Sequence, residues 1–275
     1  MIQDIFPSRL NNSFADCKPD ADAVLLHFDA DGRLLARIDN GELHFLFLSA
    51  AEASACGFVY LFSVDTAKYF LLFSEPANVS EGYARYSVRE LRDQCGGAAL
   101  FAAFTAYHLW KWYDDNRYCG RCRGKLLAHG QERALRCPDC GSVIYPRINP
   151  AVIVGVVRGD QLLITRYRRG YAHNALVAGF TEIGETLEET VAREVMEETG
   201  VRVKNIRYYK SQPWGMAQDL LAGFFCEAEG SGEIHMDTNE LKYAEWVQRD
   251  QIELQPNNLS LTNEMMRVFK EGRGI

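Results

Sequence analysis

Short apolar runs separated by turn residues dominate the start of the chain: AVLLHF at 23–28, LHFLFL at 43–48, FVYLF at 58–62 and YFLLF at 69–73. Runs of this length, punctuated by Asp31-Gly32 and Asn40-Gly41, predict strands joined by tight turns. The apolar pattern then lengthens, and residues 84–94 and 98–113, the latter containing ALFAAFTAYHLWKW, predict helices. Residues 1–113 therefore read as a mixed α and β domain with no catalytic constellation of its own, suited to structural support or an oligomer surface, with direct substrate binding as the alternative. Beyond a cysteine-bearing segment, AVIVGVV at 151–157 and QLLIT at 161–165 predict a hairpin around Arg158-Gly159-Asp160. A helix centred on 187–199 follows, then strands in NIRYYKSQ, LLAGFFCEAE and LKYAEWV and a terminal helix over 261–270. The order suggests a sheet with helices packed against it, giving three segments: 1–113, 114–144 and 145–275.

A length of 275 residues accommodates two ordinary domains, and 47% hydrophobic residues supply their cores. The formal charge of -7 argues against a protein that coats nucleic acid through a broad basic surface, while leaving room for a local basic entrance. MIQDIFPSRLNNSF has no signal-peptide form and no later run reads as a membrane span, so a cytoplasmic chain with no membrane partner is expected. Of eight cysteines, Cys17, Cys56, Cys95 and Cys226 are scattered and read as ordinary buried thiols.

The other four form two CxxC pairs, Cys119/Cys122 and Cys137/Cys140. Two such knuckles bring four thiolates into a tetrahedron, the geometry of a structural zinc site with no position left for water. Zn2+ is thus expected to hold this connector together, with two disulfides, redox chemistry or an iron site as the alternatives. Arg121, Arg123, Lys125, Arg133 and Arg136 around it are either a solvated face or a local nucleic-acid contact.

The helix over 187–199 carries the clearest chemistry. Thr186 and Glu189 have capping-box spacing, Leu187, Val191 and Val195 give it a buried side, and Glu194, Glu197 and Glu198 fall at i, i+3 and i+4 on another. Clustered carboxylates are costly unless a cation occupies them, and oxygen ligands of this kind suit Mg2+ or Mn2+ completed by substrate phosphates. Glu185 and Arg193 are placed to brace the preceding loop against the helix, and Gly179 and Gly184 permit a tight path. Taken without a wider pattern, an acidic amphipathic helix of this kind also reads as a solvated face.

GFTEIGETLEETVAREVMEETGV, residues 179–201, resembles the Nudix box at every defining position. The resemblance implies an α+β chain: a Nudix α/β/α sandwich with a zinc ribbon and an N-terminal mixed α/β domain. It makes Glu194, Glu197 and Glu198 the metal-binding and catalytic glutamates and Glu185 and Arg193 the bracing pair. YPRINPAVIVGV at 145–156 and ALVAGFTEIGET at 175–186 look like the NADH pyrophosphatase subgroup, over roughly residues 98–270. Members hydrolyse NADH or NAD to a nicotinamide mononucleotide and AMP, some remove an NAD cap from RNA, and they commonly act as homodimers. By the same resemblance Tyr145 and Phe180 are candidates to contact a base, Ile153 to line its pocket, Gln212 and Trp214 to bind substrate, and Glu240 to supply another metal-facing carboxylate.

The chain departs from the subgroup after the box. The subgroup motif SQPWPFPxS becomes SQPWGMAQD at 211–219, losing prolines and a ring and placing Asp219 where the family has a neutral hydroxyl. Lost prolines are expected to loosen the loop, and the new charge to shift nucleotide preference. ADP-ribose and other nucleoside diphosphate derivatives therefore stand beside NAD(H) and NAD-capped RNA as substrates. A zinc-ribbon RNA-binding protein, or a Nudix-fold regulator with little turnover, is the reading from a different class.

Overall fold

Turn chemistry and cysteine knuckles shape the N-terminal half. The computed structural model of the chain describes all residues except 48–49, 78, 169–172 and 274–275. Two units emerge: Gln3–Arg147 with Gly215–Gln218, and Met1–Ile2 with Ile148–Trp214 and Asp219–Ile275.

In the first unit the apolar runs become strands Val24–Leu26, Phe58–Val64 and Ala67–Leu72, which with Leu10–Asn11 form a four-stranded sheet. The run at 43–48 is shorter than expected: Glu42–His44 is a strand, Leu46 makes an isolated bridge to Leu25, and Leu48 lies outside the described residues. Asn40-Gly41 turns Leu34–Asp39 back onto Glu42–His44 with both φ angles positive, as a two-residue type I′ hairpin requires. The expected helix over 84–94 begins later. Ala84–Tyr86 instead pairs with Leu34–Ala36, and Ser87, whose hydroxyl accepts from the Glu90 N–H, caps a helix over Val88–Gln94. The helix Gly97–Asp115 is apolar on most sides, and its end packs Trp112 and Tyr113 into one cluster with Cys119, Leu126, Leu135, Cys137 and Cys140. The cysteine segment thus shares its core with this helix, and both lie in the same unit.

The second unit is built from β1 (Asn149–Arg158), β2 (Gln161–Tyr167), β3 (Val177–Phe180), α1 (Leu187–Thr199), β4 (Val203–Trp214), β5 (Asp219–Ala228), β6 (Leu241–Gln248) and α2 (Leu261–Lys270). Its sheet runs β4-β5-β1-β2-β6, with β3 also paired to β1. The pairing of β1 with β5 is parallel and its other pairings are antiparallel. Alternation divides the two faces: Val152, Val154, Val156, Ala222 and Phe224 pack with Val191 and Val195 of α1, whereas Ile153 and Phe225 pack with Leu261, Met265 and Phe269 of α2. This gives a sheet between two helices, the sandwich that the resemblance implied. No helix among the described residues is long and apolar enough to cross a membrane. Of the scattered cysteines only Cys226 is fully buried, and Cys17, Cys56 and Cys95 are partly exposed.

The substituted loop is tightly seated. A Cβ on Gly215 would lie 2.1 Å from the carbonyl oxygen of Phe104, and the Gln218 side chain accepts a 3.0 Å bond from Arg147 Nη2. Losing the prolines has therefore admitted a close approach to helix Gly97–Asp115 that only glycine allows. Gly215→Ala is expected to destabilise the chain by about 2 kcal/mol, because backbone must move to relieve the clash; urea unfolding of the two proteins measures it, and equal midpoints would show that the loop swings freely.

Candidate active site

Helix α1 starts and stops on local signals. Thr186 Oγ1 accepts from the Glu189 N–H at 3.2 Å while Glu189 Oε2 accepts from the Thr186 N–H at 2.7 Å, so the expected capping box is formed. Gly200 ends the helix in the left-handed region at φ 69°. With Leu187, Val191 and Val195 against the sheet, Glu194, Glu197 and Glu198 are turned toward one recess, which Asp237 and Glu240 also line.

Arg193 organises the negative charge. Its Nε and Nη2 donate to the two oxygens of Glu185 at 2.5 and 3.0 Å, and Nη2 also donates to the Phe180 carbonyl at 2.9 Å. Its Nη1 donates to Glu194 at 2.7 Å and to Glu197 at 3.2 Å. Glu185 further accepts from the Glu182 N–H and the Thr190 hydroxyl, and the guanidinium bond, the largest influence, holds its pKa down at about 2. The bracing pair inferred from the sequence is present.

Glu194 and Glu198 are pushed the other way. Glu198 is 3% exposed, and burial raises its pKa to about 8; Tyr167 Oη donates to its carboxylate at 2.9 and 3.2 Å. Burial likewise raises Glu194. Glu194 fills the space beside Gly179, where a Cβ would lie 1.9 Å from its carboxyl carbon. The absent side chain at Gly179 is thus what lets this carboxylate rest on β3.

Two participants were not found by sequence reasoning. Tyr167 ends QLLITRY, where an aromatic reads as packing, yet it also accepts from the Ala178 N–H at 3.1 Å and so ties β3 to Glu198. Asp237 lies in no periodic element; its N–H donates to the Glu198 carbonyl at 2.9 Å, which brings the segment carrying it and Glu240 to the recess.

The proposed substrate residues scatter. Phe180 keeps a ring 54% exposed at the end of β3. Ile153 is 5% exposed and packs in the core against α2, so its side chain presents packing surface there rather than an open wall. Gln212 is fully buried, donating to the Leu259 carbonyl at 2.8 Å and accepting from the Leu261 N–H at 2.7 Å, so it fixes the entry to α2. Trp214 ends β4 opposite Asp219. Tyr145 belongs to the other unit, its hydroxyl donating to Glu132 at 3.0 Å.

In that unit Cys119, Cys122, Cys137 and Cys140 place their sulfurs within 4.8 Å of one another. Each knuckle is closed by backbone bonds, Arg123 N–H to the Cys119 carbonyl and Gly141 N–H to the Cys137 carbonyl. Four converging thiols in two closed knuckles form a metal-binding set. Arg133 is committed elsewhere, donating to Asn12 and to the Leu61 carbonyl, which removes it from the basic face considered above.

Residues 147–269 match the NUDIX domain family. Over 173 residues the chain is 42% identical to proteins called NAD-capped RNA hydrolase NudC from Escherichia coli O1:K1 / APEC and from Citrobacter koseri. Residues 147–269 are a Nudix domain. That alignment spans 62% of this chain and 66% of each relative's length. A Nudix hydrolase crystal structure from Nitrosomonas europaea shares the fold at a TM-score of 0.51 and 20% identity, covering 57% of this chain and 92% of that one. The Nudix domain is therefore the sandwich that carries the acidic recess.

Asp219 supplies a test of how the motif departure sits in this Nudix domain. It is 6% exposed, its Oδ1 has no hydrogen-bond partner among the described residues, and burial raises its pKa to about 6 against the pull of Asn149. Between an unfolded value of about 3.9 and this folded value the native chain holds the extra proton, so stability falls as pH rises through that window and levels off above it. Asp219→Asn is expected to gain on the order of 2 kcal/mol at pH 7.5 and almost nothing at pH 4. Urea unfolding at both pH values measures this; a less stable variant at pH 7.5 would mean that the carboxylate is favourably held.

Proposed function

We propose that this chain hydrolyses the diphosphate bond of NADH or NAD to nicotinamide mononucleotide and AMP, and removes the same group from NAD-capped RNA. The observation that carries the reading is the recess of Glu194, Glu197, Glu198, Asp237 and Glu240, braced by Glu185 and Arg193. Similarity to the named NAD-capped RNA hydrolases supports the substrate.

The donor set fits hard divalent cations: the recess offers carboxylate oxygens and no sulfur or imidazole, and apart from Arg193 no cation balances it in the contacts described. Glu194, Glu197, Glu198 and Glu240, with Asp237, would hold Mg2+ or Mn2+. Bound there, such ions neutralise the diphosphate and make an attacking water more acidic. Arg193 holds Glu194 and Glu197 in place while leaving their remaining oxygens to the recess, and Tyr167 fixes the orientation of Glu198. Water adds its oxygen to one phosphorus, the P–O–P bridge breaks, and two monophosphates leave. Phe180, with its exposed ring, is the base contact best placed within the same domain. Ile153 and Gln212 support the same domain through the core and the α2 entry, with Trp214 as a further substrate contact. The chain is proposed to act as a cytoplasmic homodimer.

Product analysis by mass spectrometry after incubation with NADH, NAD, ADP-ribose and NAD-capped RNA, with Mg2+ or Mn2+ and with EDTA, tests the reading. AMP and reduced nicotinamide mononucleotide are expected from NADH, with at least about a hundredfold loss in Glu198→Gln. Near-normal turnover by a folded Glu198→Gln would count against the assigned site, and turnover of ADP-ribose alone would reassign the substrate.

The four thiols suit Zn2+, which would be structural because protein fills all four positions. Cys137→Ser is expected to lose one equivalent of zinc by elemental analysis and to lower the thermal midpoint. Retained zinc with an unchanged midpoint would refute a folding role.

A further inference from the structure

The far end of the same sheet carries an unassigned recess of the opposite charge. Its wall contains Arg158 at the end of β1, Lys204 and Arg207 on β4, Arg249, and Arg273 beyond α2, with Glu227 as its one carboxylate. Asp160 pairs with Arg249 and Glu271 with Arg273, and Arg249 also caps α2 by donating to the Phe269 carbonyl. Arg158, Lys204 and Arg207 have no carboxylate partner among the described residues, and Glu227 accepts from the Asn205 amide instead. The balance is therefore net positive in a chain whose formal charge is -7.

The positive wall is also partly rigid. The Arg158 guanidinium lies 4.4 Å above the Trp246 ring and is bonded to Gln161 and to the carbonyls of Ser231 and Gly232, while Arg249 lies 4.1 Å over Phe269. Lys204 and Arg207, exposed on β4, supply the mobile charges beside these fixed ones. Fixed and mobile cations around a concave surface concentrate potential and suit phosphate groups. Its one thiol, Cys226, is buried, and Glu227 is its one carboxylate, so this recess binds rather than reacts.

Its place in the sheet indicates which phosphates. Val152 of β1 pairs with Gly179, against which the Glu194 carboxylate rests, and Arg158 is six residues further along the same strand. Six residues of strand span about 20 Å, the length of about six stacked nucleotides at roughly 3.4 Å each. A free dinucleotide held at the catalytic recess is too short to reach, whereas a capped strand is long enough. We propose that Lys204, Arg207 and Arg158 form a phosphodiester-backbone contact for the body of a capped RNA, an assignment that rests on the capped-RNA reading of the catalytic recess.

The test compares the 275-residue chain with the double variant Lys204→Glu, Arg207→Glu, both checked for an unchanged thermal midpoint; the milder pair Lys204→Ala, Arg207→Ala replaces it if the midpoint falls. Binding of an uncapped oligoribonucleotide of about 20 nucleotides is read by fluorescence anisotropy over a salt series, and hydrolysis is read with NADH and with the same RNA carrying an NAD cap. The double variant is expected to bind the RNA about tenfold more weakly with a salt slope shallower by about 1.4, two single-strand contacts at about 0.7 each. Its KM for capped RNA rises while kcat/KM for NADH is unchanged. Unchanged RNA affinity and salt slope overturn the proposal, as does loss of NADH turnover equal to that of capped RNA. Equal protection of the recess by millimolar inorganic phosphate, with no dependence of affinity on RNA length, makes it a small-anion site and also overturns it. A wild-type chain that binds the RNA through these residues yet leaves every capped substrate intact keeps this surface and sinks the proposed reaction.

Discussion

One guanidinium holds the acidic recess together. Arg193 reaches back to Glu185 and the Phe180 carbonyl and forward to Glu194 and Glu197, so the strand end, the loop and the helix meet at a single cation. Without it, the close carboxylates would repel one another and the loop between β3 and α1 would lose its tie to the helix. With it, Glu185 is held firmly ionised and Glu194 is partly balanced, while Glu198, Asp237 and Glu240 have no matching positive charge in the contacts described. That residual imbalance is what the proposed divalent cations would offset.

The backbone contributes as much as the charges. Glu194 rests where a side chain on Gly179 would be, and Glu198 is reached by Tyr167, which also accepts from the Ala178 N–H on the same strand. The two carboxylates are therefore positioned by β3 as well as by their own helix. A glutamate on a helix alone retains several rotamers, whereas one confined between an arginine and a glycine backbone keeps few.

This division explains what was legible beforehand. The capping box, the i, i+3, i+4 glutamates and the glycine stop are local signals within one helix, and the helix appears over the expected residues. The CxxC pairs were legible for the same reason, since each knuckle closes over a few residues. Tyr167 and Asp237 were not, because they reach the recess through strand pairing and through a backbone bond to Glu198 that no spacing encodes. Ala84–Tyr86 was expected to be helical and is a strand because its partner Leu34–Ala36 lies some fifty positions earlier, a tertiary pairing that outweighs local pattern. Ile153 and Gln212 show the converse: a family motif named them as substrate residues, and burial gives them evident work in the core and at the α2 entry.

The altered loop after Trp214 changes a backbone approach and a buried charge. Asp219 is not among the carboxylates that line the acidic recess of its unit. Gly215 trades a stiff ring for a close backbone seat against Phe104, which fixes the loop by approach rather than by restricted torsion. Asp219 replaces a neutral hydroxyl by a buried carboxylate with one unsatisfied oxygen, a group that is costly in the folded chain and favours a neighbouring N–H donor over another anion. In the proposed reaction the charge network on one helix would therefore stay as it is while the residues at the strand ends vary.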